Sequence, residues 1–109
     1  MELTLILALV WLHTIMDFAF QTREMAENKS SSNAWLGYHV LVYTVPFLFI
    51  DLTFGVVNGI LHFIVDWCTS RITTRLYQQG KIHNFFLVIG IDQALHFTCL
   101  FTTYVWLVK

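Results

Sequence analysis

Four apolar segments occupy most of this chain, and their lengths limit what it can fold into. They cover residues 3–20, 35–50, 54–67 and 85–108. A helix needs about 20 mostly apolar residues, within a range of about 17–25, to cross the hydrocarbon core of a bilayer. Only 12% of the 109 residues are charged and 57% are hydrophobic, which excludes an ordinary soluble domain, where about a quarter are charged. The predicted fold is one all-α membrane domain, residues 1–109, a bundle of four transmembrane helices at about 3–25, 34–51, 53–77 and 84–107.

Three of the apolar segments carry a histidine and an aspartate four residues apart. The pairs are His13/Asp17, His62/Asp66 and Asp92/His96. Four residues is about one helical turn, so the two members of each pair share a helix face. An ionisable side chain at bilayer depth costs about 2.5 kcal/mol or more, and such residues normally face a bundle interior. The sequence therefore predicts one buried polar site.

The first and third segments are also similar to each other. Leu-His-x3-Asp occurs at residues 12–17 and again at residues 61–66, and each copy is followed by a helix that carries a histidine, His39 or His96. Two related helix hairpins would place the two His/Asp pairs opposite each other. The repeat therefore indicates that the predicted bundle could consist of two related helix hairpins.

The basic residues predict the orientation in the membrane. Five of the six follow the first or the third helix, and they are Arg23, Lys29, Arg71, Arg75 and Lys81. Because loops rich in lysine and arginine stay in the cytoplasm, we expect the loops at residues 23–33 and 78–83 inside and both termini outside, with Lys109 there. The expected partner is the lipid bilayer. No nucleic-acid partner is expected, and a homo-oligomer would supply further walls to the site.

Imidazole and carboxylate together form the usual nitrogen and oxygen ligand set for zinc, iron or manganese. A bound divalent cation would also offset the cost of burying several aspartates. Zinc is the favoured metal, and the candidate ligands are His13, Asp17, His39, His62, Asp66 and His96. The competing interpretation is a metal-free bundle in which each aspartate pairs with a histidine, Arg71 or Lys29. The His-x3-Asp spacing resembles the intramembrane metal pairs of cation-diffusion-facilitator zinc transporters.

Several functions are compatible with such a site, and the sequence leaves open whether the protein is an enzyme. The first hypothesis is metal-dependent hydrolysis facing the cytoplasm, with Asp92 or Glu24 as base. In that model Gln21, Asn28 and Lys29 bind the substrate. The alternatives are a proton or divalent-cation transporter or channel, a haem-binding bundle using His39 and His96, and a non-catalytic membrane protein that binds a partner.

A set of motifs along the whole chain resembles a known family. The set comprises His13-x3-Asp17-Phe18-x2-Gln21, Met25-Ala26-x-Asn28-Lys29, His39, His62-x3-Asp66 and Asp92-Gln93-x2-His96. It resembles a family of small prokaryotic and phage integral membrane proteins classified as a domain of unknown function. The resemblance implies a membrane protein, located in the cytoplasmic membrane of a prokaryote, and marks the same polar residues. It implies no particular activity.

Overall fold

Helices make up nearly all of the protein. The computed structural model describes residues 1–108, so Lys109, the last residue of the predicted domain, lies outside the described residues. The five α-helices are α1 (Leu3–Thr14), α2 (Arg23–Asn28), α3 (Asn33–Ile50), α4 (Leu52–Gln78) and α5 (Ile82–Thr103). Two π-helical turns, Ile15–Ala19 and Tyr104–Val108, continue α1 and α5. No β-strand occurs within residues 1–108, which confirms the predicted all-α class.

Three of these helices have the length and apolar composition to cross a membrane. They are α3, α4 and Ile82–Val108, the last formed by α5 and its π-helical turn. The first segment, Leu3–Ala19, is apolar but shorter. The helix predicted at residues 3–25 is divided in the structure, because the chain leaves the helical path at Phe20 and resumes it at Arg23. The structure therefore has five helices, three of them of spanning length, where the sequence predicts four spans.

Polar side chains fix where α2, α3 and α4 begin. The side-chain oxygens of Thr22, Ser32 and Asp51 each accept a hydrogen bond from the backbone N–H three residues further on, at 3.2, 3.4 and 2.9 Å. These N-caps satisfy donors that lack a partner within the helix. At the other end of α4, Gly80 takes a φ of 74°, the left-handed conformation that commonly ends a helix.

Helix α4 is the centre of the packing and contacts both α3 and α5 extensively. Gly55 and Gly59, one turn apart on α4, let α3 approach closely. A Cβ atom at Gly55 would lie 2.7 Å from the backbone nitrogen of Leu48, and one at Gly59 would lie 2.6 Å from Thr44 Oγ1. Helix α1 packs against α5, and its π-helical turn packs against α3.

Apolar side chains fill one end of the bundle and also cover its outside. The buried cluster consists of Leu9, Tyr43, Phe47, Phe54 and Leu100. Outside, Phe49 is 88% exposed and Trp106 is 73% exposed, and they are two of many large apolar side chains with high exposure. An apolar surface around an apolar interior is the pattern expected of a protein surrounded by lipid.

We predict that Gly55→Ala lowers the stability of the protein by about 1–3 kcal/mol, because the added methyl group overpacks the contact between α3 and α4. The matched control is Gly90→Ala on α5, where a Cβ atom meets nothing within 4 Å. This control should be neutral or slightly stabilising, since alanine favours helix over glycine. Thermal unfolding in detergent, followed by circular dichroism, measures both changes. Equal melting temperatures for the two variants would contradict the close approach of α3 to α4 at Gly55.

Candidate metal centre

Two histidine nitrogens and two carboxylate oxygens meet in the interior of the bundle. His39 Nε2 lies 3.0 Å from Asp17 Oδ1 and 3.3 Å from Asp66 Oδ2. His62 Nε2 lies 3.3 Å from each of the same two oxygens. The two Nε2 atoms are 3.2 Å apart. All four residues are buried, and together they form the four-ligand cluster.

Local helix geometry positions each member of this cluster. His62 and Asp66 are one turn apart on α4, while His39 extends from α3. Asp17 lies in the middle of the π-helical turn Ile15–Ala19, a widened turn that recurs at functional sites. Its Oδ2 atom is 3.7 Å from His13 Nε2, too far for a hydrogen bond, and its Oδ1 atom faces α3 and α4. The π-helical turn thus directs Asp17 toward the other helices.

The size of the four-ligand cluster fits a tetrahedral cation. Zinc binds imidazole nitrogen and carboxylate oxygen at about 2.0–2.2 Å, so neighbouring ligand atoms in a regular tetrahedron lie about 3.3–3.6 Å apart. Five of the six separations among the four atoms are given above; they range from 3.0 to 3.3 Å and are only slightly shorter, and all four atoms lie within 4.8 Å of one another. A cation at the centre would therefore reach all four atoms after a small expansion of the cluster.

Hydrogen bonding alone satisfies these four atoms poorly. A carboxylate oxygen only accepts, so His39 and His62 would both need a proton on Nε2 to bond Asp17 and Asp66. Two N–H groups would then face each other across 3.2 Å. A cation removes the conflict, because all four atoms can offer it a lone pair. Arg71, one of the expected partners for an aspartate, instead donates to the Trp67 carbonyl oxygen and to Asn33 Oδ1.

The charge of the surroundings also favours a divalent cation. Asp17, Asp66 and Asp92 bring three negative charges, and among residues 1–108 the nearby ammonium group is Lys29 Nζ, 3.4 Å from Asp66 Oδ2. With neutral histidines the remaining charge is −2, which one divalent cation balances. Buried carboxylates without such a counter-charge are costly in an apolar environment.

A second layer of hydrogen bonds holds the carboxylates in place. Gln93 Nε2 donates to Asp17 Oδ2 and to Asp92 Oδ2, both at 3.1 Å. Gln93 Oε1 lies 2.8 Å from His13 Nε2, and His13 Nδ1 lies 2.6 Å from the Tyr43 hydroxyl. His13 thus donates from Nε2 and accepts at Nδ1. This chain of contacts is the kind of outer support that fixes metal-binding side chains.

His96 and Asp92 extend the cluster toward α5. His96 Nε2 lies 3.0 Å from Asp66 Oδ1 and 3.2 Å from Asp92 Oδ1. Thr69 donates from Oγ1 to the same Asp92 oxygen. The His62 ring is stacked between the rings of Tyr43 and His96, with centroid separations of 4.0 and 4.1 Å. Stacking therefore fixes the orientation of His62.

A cavity of about 240 Å³ leads to this cluster. Three carboxylates line it, those of Asp17, Asp66 and Asp92, and Lys29 lies beside them. The remaining polar lining consists of Gln21, Ser30, Thr69, Ser70, Thr73, Thr74 and Gln93. Lys29 is partly exposed, so this side of the cluster faces the segment that joins α2 to α3. The opposite side is filled by the buried apolar cluster.

One family model matches the chain, over residues 5–109, and its description is "Protein of unknown function (DUF3307)". The chain belongs to this family. Membership confirms the resemblance to an uncharacterised family, while the prokaryotic or phage origin stays a prediction. No curated protein and no solved structure matches the chain. The functional argument for this DUF3307 member therefore rests on the geometry of its own residues.

Five of the six predicted metal ligands meet in the structure of this DUF3307 protein. They are Asp17, His39, His62, Asp66 and His96. His13 lies beside them, but both of its ring nitrogens already have hydrogen-bond partners, Tyr43 and Gln93. In this arrangement His13 contacts Gln93 and Tyr43, and its Nε2 atom stays 3.7 Å from Asp17 Oδ2.

The predicted base and substrate residues divide into two groups. Asp92, Gln21 and Lys29 line the cavity. Glu24 is exposed on α2 and Asn28 donates to the backbone oxygen of Glu24 at 2.8 Å, and neither lines the cavity. Glu24 and Asn28 lie outside the cavity because the helix breaks after Phe20. In a continuous helix they would have extended the face that carries Asp17, but α2 points away from that face.

Sequence reasoning assigned no role to Gln93, Tyr43 or Thr69 at this site. Each carried a detectable signal. Gln93 and Thr69 lie three residues from His96 and Asp66, and Tyr43 lies four residues from His39, so helical spacing puts all three near a predicted ligand. Polar residues at helical spacing from a ligand are therefore candidates for its support.

We predict that Gln93→Met weakens metal binding by about 10–100-fold, because the variant removes the two hydrogen bonds that orient Asp17 and Asp92. Competition with a chromophoric chelator measures the affinity. Gln78→Met, at the exposed end of α4, is the matched control and should bind as wild type does. An unchanged affinity in Gln93→Met would contradict the supporting role of Gln93.

Proposed function

We propose that this protein is an integral membrane protein that holds a divalent cation, zinc in preference to iron or manganese, and uses it for hydrolysis facing the cytoplasm. The observation that carries the proposal is the four-ligand cluster at the end of a polar cavity. Two imidazole nitrogens and two carboxylate oxygens converge at separations close to those of a tetrahedral cation site.

In the proposed membrane arrangement, Leu3–Ala19 joins the three longer helices as a fourth, short span. The long dimension of the protein is 44 Å, close to the thickness of about 40–45 Å of a bilayer with its headgroups. Arg23, Lys29 and Lys81 lie in the loops at residues 23–33 and 78–83, and Arg71 and Arg75 lie in the last two turns of α4, next to the second loop. This distribution supports a cytoplasmic location for both loops and an outer location for the termini. The cavity would then open toward the cytoplasm.

A divalent cation bound at this position would supply Lewis-acid chemistry, and it would activate a water molecule that enters as a fifth ligand beside the four protein atoms. The protein contributes the surroundings. Lys29 provides a positive charge at the cavity for an anionic substrate group, and Gln21 provides an amide there. Of the two predicted bases, Asp92 is the one that lines the cavity, so in a centre with one cation it is the candidate proton acceptor. The buried apolar cluster excludes bulk water from the side of the site that lies opposite the cavity.

Two alternatives predicted from the sequence have less support. A transporter or channel needs a polar path on both sides of the site. Beyond Tyr43 the interior contains Leu9, Phe47, Phe54 and Leu100, and the buried polar pair there, Asn58 and Thr103, is joined by a hydrogen bond of 2.7 Å. A haem would have to fit between His39 and His96. The Asp66 carboxylate occupies that space, with oxygens 3.3 Å from His39 Nε2 and 3.0 Å from His96 Nε2.

The test combines metal content with turnover. We expect purified protein in mild detergent, loaded with zinc or manganese, to hydrolyse one or more of p-nitrophenyl phosphate, bis(p-nitrophenyl) phosphate and p-nitrophenyl acetate. Asp66→Asn should lose both metal and activity, because Asp66 contacts His39, His62 and His96. Lys29→Gln should keep the metal and raise KM for an anionic substrate. The control Glu27→Gln, an exposed residue paired with Arg23, should keep both properties.

Two outcomes would count against the proposal. Wild-type protein that stays metal-free when challenged with these ions would refute the metal centre. Metal-loaded protein that turns over none of the esters, but carries zinc into vesicles containing a zinc-sensitive dye, would replace hydrolysis by transport.

A further inference from the structure

We propose that the cluster holds a second divalent cation, bound by Asp92, His96 and Asp17 beside the four-ligand cluster. The inference rests on the proposed function, because it presupposes a first cation at His39 and His62. When the second position is filled, Asp92 becomes a ligand and is no longer the candidate proton acceptor. Three observations carry this proposal. The oxygens of two carboxylates face different sides, a second set of ligand atoms lies beside the first, and this second set adjoins the cavity.

The carboxylates of Asp17 and Asp66 each face two directions. Asp66 Oδ2 faces His39 and His62, while Asp66 Oδ1 lies 3.0 Å from His96 Nε2. Asp17 Oδ1 faces the same two histidines, while Asp17 Oδ2 accepts from Gln93 on α5. A carboxylate that offers its two oxygens to different sides is placed to bridge a pair of cations, which in two-metal sites lie about 3.5–4 Å apart.

A second set of ligand atoms stands on the α5 side. Three ligand atoms lie within 4.8 Å of one another, one each from Asp17, Asp92 and His96. His96 Nε2 is 3.2 Å from Asp92 Oδ1 and 3.0 Å from Asp66 Oδ1. Asp17 and His96 are buried, and the Asp92 side chain is only 13% exposed. Nitrogen and oxygen atoms of this kind suit zinc, manganese or iron.

The second position adjoins the cavity through two of its three ligands. Asp17 and Asp92 line the cavity, as Asp17 and Asp66 of the first position do, whereas His39, His62 and His96 do not. Four protein ligands complete a tetrahedral shell, as in structural zinc sites, while catalytic zinc keeps a position open beyond three protein ligands and can expand to five-coordinate. The second cation would therefore keep a position for substrate even when Asp66 Oδ1, 3.0 Å from His96 Nε2, also binds it. The first cation would therefore organise the site, and the second would be the one accessible to substrate.

Two cations also define the class of substrate. Their four positive charges and that of Lys29, set against the three aspartates, leave a charge of +2. A dianionic group such as a phosphate monoester balances it. The cavity offers donors for such a group, since Ser70 is buried with no hydrogen-bond partner for Oγ and Lys29 lies at the same wall. We thus assign phosphate monoesters, free or lipid-borne, as the substrate class.

Metal stoichiometry and manganese electron paramagnetic resonance test the inference. Wild-type protein equilibrated with excess Mn²⁺ and then desalted should hold two equivalents and give an exchange-coupled spectrum, because bridged ions lie close together. Asp92→Asn should hold one equivalent and give the six-line spectrum of an isolated ion. Asp17→Asn should lose both ions. The control His83→Asn, an exposed residue on α5, should match wild type.

The outcomes separate this inference from the proposed function. One equivalent in wild type, with an uncoupled spectrum that Asp92→Asn leaves unchanged, would overturn the second cation and keep the first. No bound metal in wild type would overturn both. The spectrum of the wild-type protein decides the question even if a variant fails to fold. To identify the source of the substrate, phosphate release is compared for a water-soluble monoester and for phosphatidic acid in mixed micelles. Release from neither would overturn the assigned class.

Discussion

The cost of placing three carboxylates inside an apolar helical bundle is the constraint on which the rest of the structure depends. Each unbalanced charge at bilayer depth costs about 2.5 kcal/mol or more, and in the part of the chain that the structure describes only Lys29 lies close enough to offset one of them. The bundle responds by surrounding Asp17 and Asp66 with three imidazoles and by fixing Asp92 with Thr69 and Gln93. With the imidazoles neutral, as binding to a metal requires, the proposed divalent cation would complete the balance of charge.

The helical framework serves this centre. Close approach of α3 and α4 at Gly55 and Gly59 brings His39 opposite His62, and the π-helical turn after α1 directs Asp17 toward both. The two hairpins then make the same contact, because Asp17 meets His39 and Asp66 meets His96, each at 3.0 Å. The packing of the two hairpins is unequal. Helix α4 contacts both α3 and α5 extensively, whereas α1 contacts α5 only slightly.

Much of the centre could be predicted because helical spacing is a local property. His62 and Asp66, or Asp92 and His96, share a face in any regular helix, so their convergence needs only a bundle. The break at residues 20–22 could not be predicted from hydropathy, and with it Glu24 and Asn28 lie outside the lining of the cavity. Helical spacing marks Gln93 as a neighbour of His96, but its hydrogen bonds to His13 and Asp17 depend on distances between helices, which no pattern within one helix contains.

X-ray absorption spectroscopy of the zinc-loaded protein tests the central claim most directly. The account predicts a low-coordinate shell of nitrogen and oxygen at about 2.0–2.1 Å, with the outer-shell scattering of two or more imidazoles and no sulfur. His39→Ala and His62→Ala should each remove imidazole scattering from that spectrum. An all-oxygen shell without imidazole scattering, unchanged in both variants, would show that zinc binds elsewhere and would contradict the assignment of the four-ligand cluster.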